Sequence, residues 1–225
     1  MIRRTEPNAH CLITQHDHAL LSGRLARQIG NKLFDPPHPL EPVCLGIGLH
    51  DCGWPLHDDQ PTLNSRGLPL DVFETPREIA LRVWQESVDR AYANDAYAGF
   101  LTSLHVLALS VPSTSPKRTP HPSWDMSDPK TRFEVNRFQH KQIEFQEHRR
   151  REMGMRTDIP LLHGLADDST DPQEQTLVWH VRLLQCLDLV SLALCCTDIP
   201  VEFVKLVPTR SGGRVVSVKL RREAE

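Results

Sequence analysis

The residues with the most chemistry in this chain sit where apolar side chains belong. His50 and Asp51 close the run Val43-Cys44-Leu45-Gly46-Ile47-Gly48-Leu49. Such a run is core material, and ending it with an imidazole and a carboxylate puts two groups that are costly to bury where something must compensate them. His18 falls on the apolar side of a predicted helix. His105 interrupts Phe100-Leu101-Thr102-Ser103-Leu104-His105-Val106-Leu107-Ala108-Leu109, and Asp188 interrupts Leu187-Asp188-Leu189-Val190-Ser191-Leu192-Ala193-Leu194. One bound divalent metal accounts for all of them, because it takes neutral imidazole and ionised carboxylate together in a dry pocket.

Singly, each residue has an ordinary explanation. A histidine on an apolar helix face is commonly a hydrogen-bonded core residue. The His-Asp dipeptide also recurs, at His16-Asp17 and His57-Asp58. Asp188 is the hardest to dismiss, since a carboxylate flanked by Leu and Val must be paired or coordinating; Arg182 or a backbone cap is the alternative partner. Joint occurrence favours the metal. The order is His, then His-Asp, then Asp, each on a different predicted helix, and helices in a bundle can converge such residues on one point. Adjacent His50 and Asp51 point about 100° apart on an ideal helix, so both reach one ion only at a distorted helix end, which Gly53 and Pro55 supply.

The elements that must position these residues follow from punctuation and period. Cys11-Leu12-Ile13 reads as a strand. Thr14 or Asp17 caps a helix running to Gly30-Asn31, with Leu21, Leu25 and Ile29 at four-residue spacing on the side of His18. After the loop Asp35-Pro36-Pro37-His38-Pro39-Leu40-Glu41-Pro42, Pro42 suits the first turn of a second helix, broken by Cys52-Gly53-Trp54-Pro55. The stretch 57–76 reads as loop. Helices are predicted over about 77–93 and 95–110, the latter capped by Asp95. The Pro-, Ser- and Thr-rich stretch 111–124 reads as a surface excursion. A charged helix carrying Phe133, Phe138 and Phe145 ends near Gly154, and a long one spans about 172–196. Residues 201–220 alternate and turn at Ser211-Gly212-Gly213, a hairpin signature. The expectation is a mainly α fold in one domain spanning 1–225. Its helical core runs over about 14–197, with a small β-sheet from the C-terminal hairpin, about 200–222, that the N-terminal strand is free to join.

Composition bounds the rest. The chain has 225 residues, 39% of them hydrophobic, and a net charge of −3. That balance gives no electrostatic case for nucleic acid or membrane binding. The basic runs Arg149-Arg150-Arg151 and Arg221-Arg222 read as solvated faces or tails. No apolar h-region opens the chain and no stretch offers the ~18 uninterrupted apolar residues of a membrane helix, so a cytoplasmic location is expected. The six cysteines then read as free thiols filling the core.

With His18, His50-Asp51 and Asp188 in the order H…HD…D, the chain resembles the HD superfamily of metal-dependent phosphohydrolases. His18-Ala19-Leu20-Leu21-Ser22-Gly23-Arg24-Leu25-Ala26 is similar to that superfamily's first motif. A closer resemblance is to a bacterial family of HD-like proteins that carries no established activity, through Gln15-His16-Asp17-His18, His50-Asp51-Cys52-Gly53-Trp54, Ser103-Leu104-His105 and Asp188-Leu189-Val190-Ser191-Leu192. The resemblance implies an HD-domain-like helical bundle in which His18, His50, Asp51 and Asp188 ligate a divalent ion. Two imidazoles and two carboxylates suit Mn, Fe, Zn, Ni or Co, without choosing among them.

The implied reaction is hydrolysis of a small phosphate ester or nucleotide. Asp51 or a nearby carboxylate takes the proton of water, and His105 assists the leaving group. His105 also has readings as partner to a ligand, as ligand of a second ion, or as core. The expected partner is a small phosphorylated molecule, with no nucleic acid or membrane, and a homo-oligomer is open. Two rivals keep the site: an HD-type iron oxygenase, and a non-catalytic metal- or ligand-binding protein. Trp54, His57, Asp58 and Asp59 are candidates for a pocket rim. Arg82, Lys130, Arg132 and Arg137 are candidate phosphate clamps. His140 and His148 read as exposed, and His180, about 80° around its helix from Asp188, is a weak candidate.

Overall fold

In the computed structural model, residues 1–110, 122–155, 170–196 and 202–221 are described. Most of the Pro-, Ser- and Thr-rich stretch and the second residue of the Arg221-Arg222 run lie outside them. Two strands, β1 (Ile2–Glu6) and β2 (Ala9–Ile13), lead into the helices α1 (Gln15–Ala26), α2 (Leu40–Leu49), α3 (Pro55–Asp58), α4 (Arg77–Asn94), α5 (Ala96–Ser110), α6 (Pro129–Glu152) and α7 (Pro172–Cys195). Strands β3 (Glu202–Pro208) and β4 (Val215–Arg221) close the order.

The fold is thus mainly helical, with two small antiparallel sheets. The N-terminal strand does not join the C-terminal hairpin. Its partner is β1, with Ile2 opposite Ile13 and Glu6 opposite Ala9 across the Pro7-Asn8 turn, and the β1 end docks through buried Ile2 against Cys195 and Cys196. In the second hairpin Pro208 faces Val215, and Gly212 takes a positive φ of 59° in the turn, a conformation glycine adopts without strain.

The helix ends obey local chemistry. Thr14 accepts a hydrogen bond from the Asp17 amide at the start of α1, and Asp95 Oδ1 accepts from the amides of Tyr97 and Ala98 at the start of α5. Helix α1 stops at Ala26, short of Gly30. Its buried stripe is Gln15, His18, Ala19, Ser22, Gly23 and Ala26, while Leu21, Leu25 and Ile29 pack only partly buried at its margins. The stripe is small and polar because α2 comes too close for larger side chains. A Cβ on Gly23 would stand 2.7 Å from the Cα of Gly48.

The core gathers Val43, Ile47, Phe100, Leu101, Leu104, Leu177, Leu184 and Leu187, from α2, α5 and α7. Helix α7 is long and apolar enough to cross a membrane by length and composition. Arg182 and Asp188 interrupt it, and here α7 is the central core helix, its residues Leu177, Leu184 and Leu187 buried. None of the six cysteines is in a disulfide, and five of them are buried.

Candidate metal centre

Four elements deliver the polar side chains to one point in the helical interior. Helix α1 carries His18, the end of α2 carries His50 with Asp51 in the turn that follows, α5 carries His105, and α7 carries Asp188. His50 caps α2 with helical backbone (φ −56°, ψ −25°), and in the hydrogen-bonded turn that follows Asp51 faces the same point. That turn is packed hard onto α4. A Cβ on Gly53 would collide with the Val83 carbonyl, and the Gly53 amide donates to Ser87 Oγ at 2.9 Å.

The resulting distances are short. His18 Nε2 lies 3.1 Å from Asp188 Oδ1 and 3.7 Å from Asp51 Oδ2. His50 Nε2 lies 3.6 Å from each of the same two oxygens. His105 Nε2 lies 3.7 Å from Asp188 Oδ2. All five side chains are buried, the imidazoles at 1–2% exposure and the carboxylates at 6% and 8%.

Both imidazoles are held from behind. His50 Nδ1 stands 2.7 Å from the Ile47 carbonyl, which only accepts, so Nδ1 carries the proton. His18 Nδ1 meets Ser191 Oγ, which also lies 2.9 Å from the Asp188 carbonyl and 2.8 Å from Ser22 Oγ. The Nε2 atoms of both rings face the carboxylates, and in neutral His50 that atom is a lone pair. Both Nε2 atoms are buried and make no hydrogen bond among the described residues. Asp51 is likewise held from behind, its Oδ1 accepting from Trp54 Nε1 at 3.0 Å.

Electrostatics agree with a site that wants a positive charge. Burial alone would lower the basicity of His50, but Asp51 and Asp188 outweigh it and raise its pKa to about 9. Burial would raise Asp188, yet His18 and His50 hold it well below the usual carboxylate range. For Asp51 burial prevails and pushes the carboxyl up, against the pull of His50 and His18.

The donor set fits a divalent ion. Ligands about 2.0–2.2 Å from one ion and at tetrahedral or octahedral angles lie about 3–3.6 Å apart. Two groups qualify within a 4.8 Å spread of ligand atoms, His18 with His50 and Asp51, and His50 with His105 and Asp188.

Other candidates fall elsewhere. Trp54, His57 and Asp58 are buried rather than at a rim, and Asp59 is exposed. Asp58 lies 2.8 Å from the Met1 amino group and accepts from the Gln15 amide at 2.9 Å, which makes it an anchor for α1 and the N-terminal hairpin. Arg82, Lys130, Arg132 and Arg137 are exposed, Arg132 bonding the Met126 carbonyl and Arg137 lying over Phe133. His140 and His148 are exposed. His180 is buried with its Nδ1 2.6 Å from the Tyr97 hydroxyl, apart from the cluster. Sequence reading missed the supporting roles of Ser22, Ser191 and Trp54. The available signal was spacing: Ser191 stands three residues after Asp188, Ser22 four after His18, and Trp54 three after Asp51.

No curated protein matches the chain, and no solved structure does either. The comparisons carry no link to the HD superfamily. A protein-family profile described as "Protein of unknown function (DUF3891)" matches residues 1–223. The chain belongs to the DUF3891 family.

Proposed function

We propose that the protein is a divalent-metal-dependent phosphohydrolase of HD type, acting in the cytosol on a small phosphate ester or nucleotide. The observation that carries the metal is the meeting of acceptors. With Nδ1 protonated, neutral His50 turns its Nε2 lone pair toward Asp51 Oδ2 and Asp188 Oδ1, 3.6 Å from each, an arrangement that repels unless a cation or a proton lies between them. His18, His50, Asp51 and Asp188 would hold the ion. A divalent ion there supplies Lewis acidity toward water and phosphoryl oxygen.

The side chains around it have separate tasks in this reading. Trp54 and Ser191 fix Asp51 and His18 in place, as outer partners of metal ligands do. Asp51 keeps Oδ2 on the histidine side while Trp54 occupies Oδ1, and it or a neighbouring carboxylate takes the proton of the attacking water. His105, whose Nε2 lies 3.7 Å from Asp188 Oδ2, would give a proton to the leaving group. The test is a phosphoester panel on metal-loaded protein beside His50→Ala and Asp51→Ala. Turnover lost in both variants supports the reading, and equal residual activity in wild type and variants refutes it.

A second reading has its own observation. Each of the two ligand groups is two imidazoles and one carboxylate, with His50 shared, the donor set of non-heme iron oxygenases. Iron in the purified protein with substrate-dependent oxygen uptake selects it; iron-free protein with phosphoester turnover removes it.

A further inference from the structure

We infer that Gln15 is a ligand-binding residue of this centre, its side-chain amide donating to an anionic phosphoryl oxygen of the bound molecule. The inference rests on the phosphohydrolase reading and adds what recognises the anion. Gln15, His18 and Ser22 share one stripe of α1, and all three are buried, Gln15 at 1% exposure. A side chain one turn before His18 lies on the same face of α1. The backbone there is pinned, because the Gln15 amide donates to Asp58 Oδ2 on α3. Trp54, which caps that short helix, is the residue that holds Asp51. Gln15 therefore sits between the turn of α1 that bears His18 and the segment that supports Asp51.

Its Nε2 is buried and has no hydrogen-bond partner among the described residues. A buried donor of this kind calls for an acceptor. The cluster also needs one. Two carboxylates offset a divalent ion, so an anion gains little from net charge. The buried arginines are engaged elsewhere, Arg77 with Ser123, Thr131 and Glu134, and Arg150 beside Glu174. A neutral amide donor on the His18 face of α1 meets that need.

The test titrates Mn²⁺-loaded wild type, Gln15→Met and Gln15→Glu with inorganic phosphate by calorimetry, with metal content measured in parallel. Gln15→Met keeps the bulk and removes the donor, while Gln15→Glu puts an acceptor in its place. The expected result is unchanged manganese in all three, phosphate Kd raised about ten- to a hundredfold in Gln15→Met, and a larger loss in Gln15→Glu. Phosphate bound as tightly by manganese-replete Gln15→Met as by wild type overturns the inference alone, as does a manganese-loaded wild type that ignores phosphate. Manganese lost from Gln15→Met also overturns it, since the residue then serves the metal. A wild type that takes up no manganese removes the proposed function and this inference together.

Discussion

Asp188 Oδ1 stands 3.1 Å from His18 Nε2 and 3.6 Å from His50 Nε2, so one carboxylate of α7 ties together side chains from α1 and the end of α2. Removing that charge at constant shape isolates its role. Asp188→Asn is expected to lose stoichiometric divalent metal. Wild-type stability should rise by about 2.7 kcal/mol when free metal reaches a hundred times Kd, and the variant should show no such rise. Paired melting curves with and without Mn²⁺ check both.

The Trp54 indole reaches Asp51 from the side away from the histidines. Trp54→Phe keeps an aromatic ring and deletes the donor. Metal affinity should fall about ten- to a hundredfold, the usual cost of losing an outer partner of a ligand. A competition titration with a chromogenic chelator reads this directly, and unchanged affinity would remove Trp54 from the site's support.

Ser191 is the corresponding partner of His18. Ser191→Ala removes the group that holds the His18 ring from behind. Metal affinity should again drop about ten- to a hundredfold, while Ser110→Ala, whose hydroxyl bonds the Leu107 carbonyl away from the cluster, should leave it unchanged.

Much of this arrangement was legible in the chain. The helix bodies were readable because apolar and capping residues follow the helical period, and Asp95 and Thr14 cap where their side chains predict. The meeting of His18, His50, Asp51, His105 and Asp188 was readable because costly groups stood in apolar runs. Helix α3 was not, since four residues carry no period and Pro55-Leu56-His57-Asp58 looks like loop. The separate N-terminal hairpin was hidden because Arg3, Arg4 and Thr5 give β1 no alternating apolar pattern. The buried stripe of α1 was misassigned to Leu21, Leu25 and Ile29. The Gly23–Gly48 approach, which belongs to the packing of two helices, selects the small side of the helix instead. The roles of Ser191 and Trp54 depend on which atoms meet across elements, and spacing alone does not decide that.

Gly53 tests the turn that aims Asp51. Its missing Cβ leaves room for the Val83 carbonyl and the Ser87 amide of α4. Gly53→Ala should destabilise the protein by about 1–3 kcal/mol or more, as overpacking of a closed site does, and should lower metal content with it. Urea unfolding beside elemental analysis separates this from Gly67→Ala, where a Cβ meets nothing within 4 Å although the positive φ of 73° is strained; that variant should lose stability without losing metal.

His180 gives an acid-sensitive core. Burial lowers its pKa from 6.5 to about 4, so the folded state holds it neutral while the unfolded chain binds a proton more readily. Its contribution is complete above pH 6.5 and is lost as pH falls from there to about 4, a span worth about 3 kcal/mol at 1.36 kcal/mol per unit. His180→Gln should flatten that acid limb in denaturant melts taken between pH 4 and 7. An acid limb of unchanged slope in the variant would assign the loss to other groups.

The most direct measurement is elemental analysis of protein purified without chelators, together with anomalous scattering from its crystals. Close to one divalent ion per chain is expected, with its peak bounded by His18, His50, Asp51 and Asp188 and absent from Asp188→Asn. Metal-free wild type that takes up none on addition, with the imidazoles paired to the carboxylates as imidazolium ions, would contradict it.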